Sequence, residues 1–475
     1  MPGDVNKWTI GLLGGLIGAI SAGLGLVLFY FLSDYLNRKA YRERILNRID
    51  TADMLLRENM VPDALSIYND LLQQVSGAKD PEAYTHIRNS EGNCHSRLAQ
   101  SVNKVEEITR AIQSYEEALK YIDPRKSPDS YALTQYNLGS AYMTLAGSRE
   151  KGKYIMKSVH AFREALKVYG ALSYPVNHAM TQNNLGIAHH LLADLSNTEE
   201  NLQSSLLAYE GALSIYTIDA YPVNYASVQI KLGGVYREFA KFSNTESNLA
   251  KAVQACRESL RVYTGDKYPE DFLRAHKNMG DAHRSLAELQ HETENLLSAV
   301  QAYTGALKIA TAGTYPADYA EIQAKLGGAY KDLARSGETQ ERLTKAASAY
   351  GEALRIYTAV DYPVQFAGAQ AQLAGAFMLL FESREDQELL LSAIQGYTEA
   401  LKVRTQKSYP LDFAALQFSL GNAYRLLSRF RDKEENSRKA VQAYEEALKV
   451  YTAENFPLDR REVLFALEKI RRIIT

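Results

Sequence analysis

The chain has 475 residues, of which 46% are apolar and 23% are charged, and its formal net charge at pH 7 is −2. These proportions are ordinary for a soluble protein. The near-zero net charge argues against general nucleic-acid binding, because that function needs a basic stripe that displaces counterions from phosphates. We therefore expect no nucleic-acid partner.

The first predicted element is a membrane-spanning helix in residues 1–33. Residues 8–33 carry no charged side chain, and about 20 apolar residues suffice to cross a bilayer. A cleaved signal peptide is disfavoured, because the apolar run is long and no clear small-residue cleavage site follows it. Basic residues follow the run and favour the cytoplasmic side; they are Arg38, Lys39, Arg42, Arg44 and Arg48. The sequence thus predicts a single-pass protein of the cell membrane, with the N-terminus outside and the remaining chain in the cytoplasm.

Small residues recur at four-residue steps inside this apolar run, at Gly11, Gly15, Ala19 and Gly23. Such a stripe lets two membrane helices approach closely. We therefore predict that these four residues pack against another membrane helix, which includes the possibility of a homo-oligomer. The alternative is that glycine is simply common in membrane helices.

Residues 34–80 are predicted to form a juxtamembrane helix and a first short helical hairpin. Beyond them, proline recurs every 47 residues, at 81, 128, 175, 222, 269, 316, 363, 410 and 457. A fixed period of this size indicates an array of identical units. Residues 81–456 therefore hold eight repeats, and residues 457–475 begin in the same frame and are predicted to form a C-terminal capping helix.

Each repeat is predicted to contain two amphipathic helices. Proline suits the first turn of a helix, where its missing N–H needs no partner. Counting each proline as position zero, position 11 is Gly in seven of the eight repeats and position 14 is a ring. Positions 30, 34, 37 and 38 read small, ring, small and Leu in a repeat such as that of "AVQAYEEAL". Spacings of three and four residues mark one face of a helix in each half of the repeat.

The stretches "NLGSAY" (137–142) and "AFREALKVY" (161–169) resemble the tetratricopeptide repeat (TPR). The resemblance covers roughly residues 50–456. The usual TPR unit has 34 residues, so the resemblance is to a long variant. It implies an all-α fold, a right-handed α-solenoid of antiparallel helix pairs (a TPR-like superhelix), here preceded by a single transmembrane helix. Similar long repeats occur in microbial scaffold proteins, some of them adjacent to caspase-like peptidase modules.

The residue types of catalysis and metal binding are scarce. We find no Gly-rich phosphate loop, no HExxH and no nucleophile elbow. His95, His189 and His283 replace the ring at position 14, which favours a packing role. Cys94 and Cys256 occupy packing positions three repeats apart and are expected to be buried thiols, since a disulfide spans only a few ångströms. The sequence therefore predicts no enzyme, no catalytic residue, no cofactor and no metal.

The TPR resemblance implies that the first helix of each pair lines a concave surface on which extended peptides or partner helices bind. Carried over by alignment, positions 8, 12, 15 and 16 line this groove. We predict that partners are bound by Tyr136, Asn183, Ile230, Arg237, Lys277, Arg284, Lys331, Phe418 and Arg425. The centre of the groove is cationic, which favours an acidic or carboxylate-bearing protein ligand. The family's clamp for C-terminal carboxylates has Lys and Asn four residues apart on one helix. No Lys-x-x-x-Asn occurs in this chain, so that specificity does not carry over.

The sequence as a whole predicts a membrane-anchored, non-enzymatic TPR scaffold or receptor that binds partner proteins through the concave face of the solenoid. Two alternatives stay open. The chain could be a structural membrane oligomer assembled through its glycine-rich transmembrane helix. It could also be a regulatory subunit of a separate peptidase or signalling enzyme, an alternative suggested only by family analogy.

Overall fold

The computed structural model describes residues 33–101, 103–148 and 150–474. The predicted membrane helix, apart from residue 33, and its stripe of Gly11, Gly15, Ala19 and Gly23 lie outside these ranges. Within them the chain forms nineteen α-helices, one short 3-10 turn and no strand. The prediction of an all-α fold of paired helices is confirmed.

The helices fall into two compact units, Met1–Ile215 and Tyr216–Thr475. The helices of unit 1 are α1 (33–57), α2 (Val61–Leu72), α3 (Pro81–Leu98), α4 (Lys104–Leu119), α5 (Pro128–Ala146), α6 (Lys151–Leu166), α7 (Pro175–Ala193) and α8 (Thr198–Leu213). Those of unit 2 are α9 (Pro222–Phe239), α10 (Thr245–Leu260), α11 (Pro269–Ala287), α12 (Glu292–Ala306), α13 (Pro316–Leu333), α14 (Thr339–Leu354), α15 (Pro363–Arg384), α16 (Gln387–Val403), α17 (Pro410–Leu427), α18 (Lys433–Leu448) and α19 (Pro457–Ile474). Within each unit, neighbouring helices along the chain pack on one another and bury one face each.

The first helix of each repeat begins at its proline because the preceding residue is held outside the helical region. Tyr268, for example, has φ −137° and ψ 61° immediately before Pro269. Its ring packs on the ring of Tyr263, with centroids 5.1 Å apart, and Tyr216 and Tyr221 form the same pair at 5.5 Å. The tyrosine therefore fixes the angle at which the chain enters the helix, and the proline then starts it.

In six of the eight repeats, a close contact between a glycine and a ring joins the two helices of the hairpin. In α9–α10 the neighbour of Gly233 is instead the Cys256 sulfur, 3.0 Å from an added Cβ. A Cβ atom on Gly280 of α11 would lie 2.5 Å from the ring of Tyr303 on α12, closer than any real contact. The rings of Tyr115, Phe162, Tyr209, Tyr350 and Tyr444 lie in the same way against Gly92, Gly139, Gly186, Gly327 and Gly421. Only glycine leaves room for the ring against the helix backbone, and this explains the glycine at position 11.

The hairpin α15–α16 keeps this close approach with the small residue moved to the other helix. Position 11 there is Ala374, and its Cβ lies 3.0 Å from the place where Gly396 of α16 would carry one. The corresponding residue in α18 is Ala443. Where the two helices of a hairpin cross, one of them has a glycine, and this glycine can lie on either helix.

The position 14 rings alternate between two environments along the array. His189 and His283 are buried and bond through Nδ1 to Asn201 and Asn295, each at 3.0 Å. His95 bonds in the same way to Glu107 at 2.7 Å. The tyrosines of the intervening repeats instead lie under lysines, in the pairs Tyr142–Lys157, Tyr236–Lys251, Tyr330–Lys345 and Tyr424–Lys439. These three histidines therefore have structural partners, and burial lowers the pKa of His189 and His283.

One helix among the described residues, α15, is long and apolar enough to cross a membrane by length and composition. It packs between α14 and α16 and buries Ala367, Ala374 and Phe381 in the core of unit 2. Its apolar side chains thus have a packing role in the repeat array.

The glycine contact leads to a pair of opposite predictions. Gly280→Ala should lower the free energy of unfolding by about 1–3 kcal/mol, because the added methyl overpacks the Tyr303 contact. Gly234→Ala should raise it by up to about 1 kcal/mol, because this mid-helix glycine has no atom within 4 Å of an added Cβ and alanine is the better helix former. Thermal melting of both variants is the measurement. A stabilised Gly280→Ala protein would contradict the close crossing of α11 and α12.

Candidate partner-binding face

The predicted binding residues of unit 2 lie on α9, α11, α13 and α17. We call the side of α9, α11, α13, α15 and α17 that carries positions 8, 12, 15 and 16 the first-helix face of unit 2. The geometry of this face depends on the ring contacts described above. Because the ring of Tyr303 lies on the backbone at Gly280, its hydroxyl reaches the neighbouring position 12 residue, Asp281, and donates to Oδ1 at 2.7 Å.

Asp281 is the centre of a charge cluster that links three successive first helices. Its carboxylate accepts from Arg237 of α9 at 2.7 Å and from Lys325 of α13 at 2.6 and 2.8 Å. The side chain of Asp281 is only 13% exposed. Hydrogen bonds between charged groups at these distances are stronger than those between neutral groups. Arg237 is therefore already bound to the protein itself.

Two further predicted cations are bound in the same way. Lys277 of α11 donates to Asp318 at 3.1 Å and to Glu321 at 2.9 Å, both on α13. Arg284 of α11 donates twice to Asp332 of α13, at 2.9 and 3.2 Å. The structure therefore corrects the expectation of a cationic groove centre at Arg237, Lys277 and Arg284, because the charges of these three residues are already paired. Each of them meets a carboxylate on the next first helix, and their charges stabilise the contact between repeats.

Lys331 and Arg425 differ from those three cations. The Lys331 ammonium bonds to Gln372 Oε1, and it has no carboxylate partner among the described residues. Burial lowers the pKa of Lys331 below its ordinary value; the neighbouring Asp332 opposes this effect, and Arg284 and Arg335 add to it. Arg425 is half-buried, and its Nε has no hydrogen-bond partner within the described part of the chain. An anion placed beside either group would stabilise its charged form.

A cavity of about 370 Å³ opens beside Lys331, between α13, α15 and α17. Small residues form its floor, namely Gly368, Ala371, Gly375 and Ala415. An added Cβ on Gly375 would have only the Tyr397 hydroxyl within 4 Å, at 3.8 Å. The ion pair of Arg404 with Asp412 closes one side of the cavity. We call this space the Lys331 cavity.

The Tyr397 hydroxyl lines the Lys331 cavity because position 12 of its repeat is a glycine. In the neighbouring repeat the equivalent Tyr444 hydroxyl donates to Asn422 Oδ1 at 2.8 Å. Gly375 offers Tyr397 no such acceptor, and Ser419 is the polar neighbour of this hydroxyl. Burial raises the pKa of Tyr397 to about 12, so the hydroxyl stays protonated and can donate. The cavity therefore presents an ammonium and two hydroxyls, a set suited to a carboxylate or carbonyl ligand.

The remaining predicted residues of unit 2 are less accessible to a binding partner. Ile230 is 3% exposed and packs among Ala226, Tyr263 and Ala275, so its placement in a binding groove is wrong. Phe418 is half-buried against the Tyr444 ring, with centroids 5.9 Å apart. Position 8 lies at the seam between neighbouring first helices, where Ile230 is covered and Lys277 reaches the carboxylates of α13.

Tyr136 and Asn183 belong to unit 1 and are half-buried on α5 and α7. The Tyr136 hydroxyl accepts from Asn184 at 3.2 Å, and Asn183 donates to Asn184 Oδ1 at 3.3 Å. The same neighbour, Asn184, thus connects these two predicted residues.

No group of three His, Cys, Asp or Glu residues among the described residues is arranged to hold a metal ion. Cys94 and Cys256 are both buried and unpaired. Burial raises the pKa of both thiols to about 12, which keeps them protonated and unreactive.

No family model matches the sequence, and no curated protein matches it. Among solved structures, the C-terminal part of a TPR repeat-containing protein from Cytophaga hutchinsonii is similar, at 14% identity over 65% of this chain and 95% of that one, with a TM-score of 0.43. A Signal Transduction ATPase with Numerous Domains from Pyrococcus horikoshii, which carries a tetratricopeptide repeat sensor, matches 85% of this chain and 57% of its own length at 16% identity and a TM-score of 0.42. A human IFIT1 dimer with m7Gppp-AAAA covers 89% of this chain and 80% of its own length at 14% identity and a TM-score of 0.35.

The first two of these structural neighbours are TPR-repeat proteins. The helices of this chain are themselves arranged in consecutive packed pairs.

The charge cluster at Asp281 yields a stability prediction. Asp281→Ala should lower the free energy of unfolding by about 3 kcal/mol, because it leaves Arg237, Lys325 and the Tyr303 hydroxyl without their shared acceptor. Asp459→Ala is the matched control, since Asp459 is exposed in the first turn of α19, and it should change stability by less than about 0.5 kcal/mol. Chemical denaturation measures both variants. Equal stability of the two proteins would show that the cluster does not hold the first helices together.

Proposed function

We propose that this chain is a non-enzymatic scaffold that is held at a membrane by its N-terminal segment and recruits partner proteins through the first-helix face of unit 2. The Lys331 cavity is the observation that carries the proposal. Here a half-buried cation has no ion-paired carboxylate among the described residues, the Tyr397 hydroxyl lies at the cavity beside Ser419, and small residues leave room for a ligand.

The chemistry of the Lys331 cavity favours an acidic or carboxylate-bearing segment of the partner. A carboxylate beside Lys331 would compensate the charge that burial destabilises, and the Tyr397 hydroxyl, which accepts from Ser419, would donate to one of its oxygens. Arg237, Lys277 and Arg284 would take little part in this binding, because displacing their carboxylates would cost as much as a new pair returns. Recognition is therefore local to the cavity.

The membrane part of the proposal rests on the uncharged run of residues 8–33 and on the basic residues after it. We place the N-terminus outside and the repeats in the cytoplasm, following the excess of Arg and Lys on the C-terminal flank of the run. Pairing through the stripe at Gly11, Gly15, Ala19 and Gly23 would add a homo-oligomer to this arrangement.

Deleting residues 1–33 tests the anchor. The truncated chain should move from the membrane pellet to the soluble fraction and remain strongly helical by circular dichroism, because the repeats bury their own core. Carbonate-washed membranes from cells that express each form give the comparison. If the truncated protein stayed in the washed membranes, the anchor prediction would be wrong and another segment, such as α15, would hold the protein at the membrane.

Substitution of Lys331 tests partner binding. Affinity purification of the membrane-extracted protein supplies a copurifying partner, and titration of this partner against Lys331→Glu should show at least about fivefold weaker binding. Lys433→Glu, an exposed change of the same charge at the start of α18, is the matched control and should bind like the wild type.

The two variants should melt at similar temperatures, because neither residue has a carboxylate partner in the described part of the chain. Unchanged affinity in a well-folded Lys331→Glu protein would contradict the proposed binding site. Loss of binding on changing the glycine stripe alone would instead favour the membrane-oligomer alternative.

A further inference from the structure

Unit 2 contains a second cavity, of about 380 Å³, that the proposed function does not use. It is lined by His276, Met279 and His283 of α11, at positions 7, 10 and 14 of their repeat. At 3.6 residues per turn these positions lie on the opposite side of α11 from positions 8, 12, 15 and 16. Residues on the sides of the second helices α10 and α12 complete the lining, so we call this space the second-helix cavity.

The charged groups that line the second-helix cavity are positive. They include Arg257 and Arg261, and none of the described residues that line the cavity is acidic. Arg261 donates to Glu258 at 2.6 Å, so its charge is already paired. Arg257 is exposed and has neither a hydrogen bond nor an ion pair among the described residues. Arg257 is therefore the cation of this cavity that remains for an anion.

A comparison with an equivalent repeat shows what Arg257 lacks. Arg163, two repeats earlier at the same position, donates to Nε2 of His189 at 3.3 Å. His283 is the residue equivalent to His189, and its Nε2 accepts no hydrogen bond from the described residues. In unit 2 the arginine and the histidine thus line one cavity without bonding to each other. A ligand in the cavity can therefore contact both groups.

The hydrogen of the His283 ring lies on Nδ1. Asn295 donates through Nδ2 to the Gln290 carbonyl at 3.0 Å, so its Oδ1 can accept. His283 Nδ1 donates to this oxygen, also at 3.0 Å. Burial lowers the pKa of His283; Asn295 and Glu294 oppose this effect, and Arg257 adds to it. The ring is therefore neutral at pH 7, and Nε2 carries a lone pair that can accept a hydrogen bond from a ligand.

Two departures from the repeat pattern remove a carboxylate beside this cavity. Position 36 is Glu in six of the eight repeats, and in pairs such as Tyr225–Glu258 it accepts from the position 3 tyrosine, at 2.8 Å. Phe272 and Gly305 replace that pair in the repeat of α11 and α12. The His276 ring occupies the space above Gly305, where an added Cβ would lie 2.7 Å from it. Burial lowers the pKa of His276 to about 4, so this side of the cavity is neutral.

These groups favour an oxyanion that also carries a hydrogen. We propose that the second-helix cavity binds inorganic hydrogen phosphate, with its oxygens accepting from the Arg257 guanidinium and its O–H donating to His283 Nε2. A guanidinium suits a phosphate, because its N–H groups can bond to two oxygens at once. Ser298 and Gln301, which also line the cavity, can donate to the remaining oxygens. Sulfate has the same shape but no hydrogen, so one of its oxygens would face the Nε2 lone pair.

Phosphate binding can be measured on the full chain in detergent. Equilibrium dialysis with radiolabelled phosphate, at about pH 8 where histidine is neutral, should show saturable binding at a single site with a Kd of about 1 mM or lower. Sulfate at equal ionic strength should compete at least about tenfold more weakly, because it cannot donate to His283. Methyl phosphate, a monoester whose second pKa is about 6, also has no hydrogen at this pH and should compete as weakly as sulfate.

The matched variants are Arg257→Gln and Arg163→Gln. The first removes the unpaired cation and should weaken phosphate binding at least about tenfold. The second removes an arginine at the same repeat position that is already bonded to His189, and it should bind phosphate like the wild type. Lys331→Glu should also leave phosphate binding unchanged, because the inference does not rest on the Lys331 cavity.

His283→Phe tests the acceptor separately. Phe377 occupies the same position in another repeat, so the repeat can hold this ring. The variant should bind phosphate more weakly and bring the affinities for phosphate and sulfate within about twofold of each other, because neither ion then meets an acceptor. A purely structural role of His283 would not change the ratio of the two affinities.

Three results would overturn the inference. They are the absence of saturable phosphate binding, equal competition by sulfate and phosphate in the wild type, and wild-type affinity of a folded Arg257→Gln protein. Methyl phosphate that competed better than phosphate would assign the cavity to a phosphorylated molecule instead, and it would equally overturn the proposal.

Discussion

The contact of a first-helix glycine with a second-helix ring is the constraint on which the rest of the structure depends. It brings the two helices of a hairpin so close that the tyrosine hydroxyl emerges beside position 12 on the first-helix side. The residue at that position then decides what the surface offers. Asn93 and Asp281 accept the hydroxyl and are held by it, whereas Gly375 leaves the Tyr397 hydroxyl at the edge of a cavity. Core packing and surface chemistry are therefore set by the same few atoms.

The first helices of unit 1 and those of unit 2 carry different polar chemistry. In unit 2, carboxylates of neighbouring repeats pair with Arg237, Lys277 and Arg284, whereas the hydrogen-bond partner of Lys331 among the described residues is the Gln372 amide oxygen. In unit 1, Thr134 and Asn137 hold the amides of Asn89 and Asn93 in fixed orientations.

Much of the fold could be predicted from the sequence, because the period fixes the helix starts and the glycine column marks the helix crossing. The candidate site could be predicted only in part. Arg237 and Arg284 are correctly placed on the first-helix face, yet their partners Asp281 and Asp332 lie 44 and 48 residues further along. Whether such groups meet depends on the register of neighbouring helices, which no single repeat reveals. Likewise, Ile230 and Lys277 share position 8, and only the packing of the seam shows that one is covered.

Site-specific photocrosslinking tests the central claim, that partners bind at the Lys331 cavity, most directly. A photoreactive amino acid at Ala371, on the cavity floor, should crosslink a partner polypeptide in cells, and Lys331→Glu in the same chain should abolish that crosslink. The same group at Leu297, an exposed position on α12, should give no such product. Crosslinks from position 297 without crosslinks from position 371 would contradict the account and place the binding surface on the second helices.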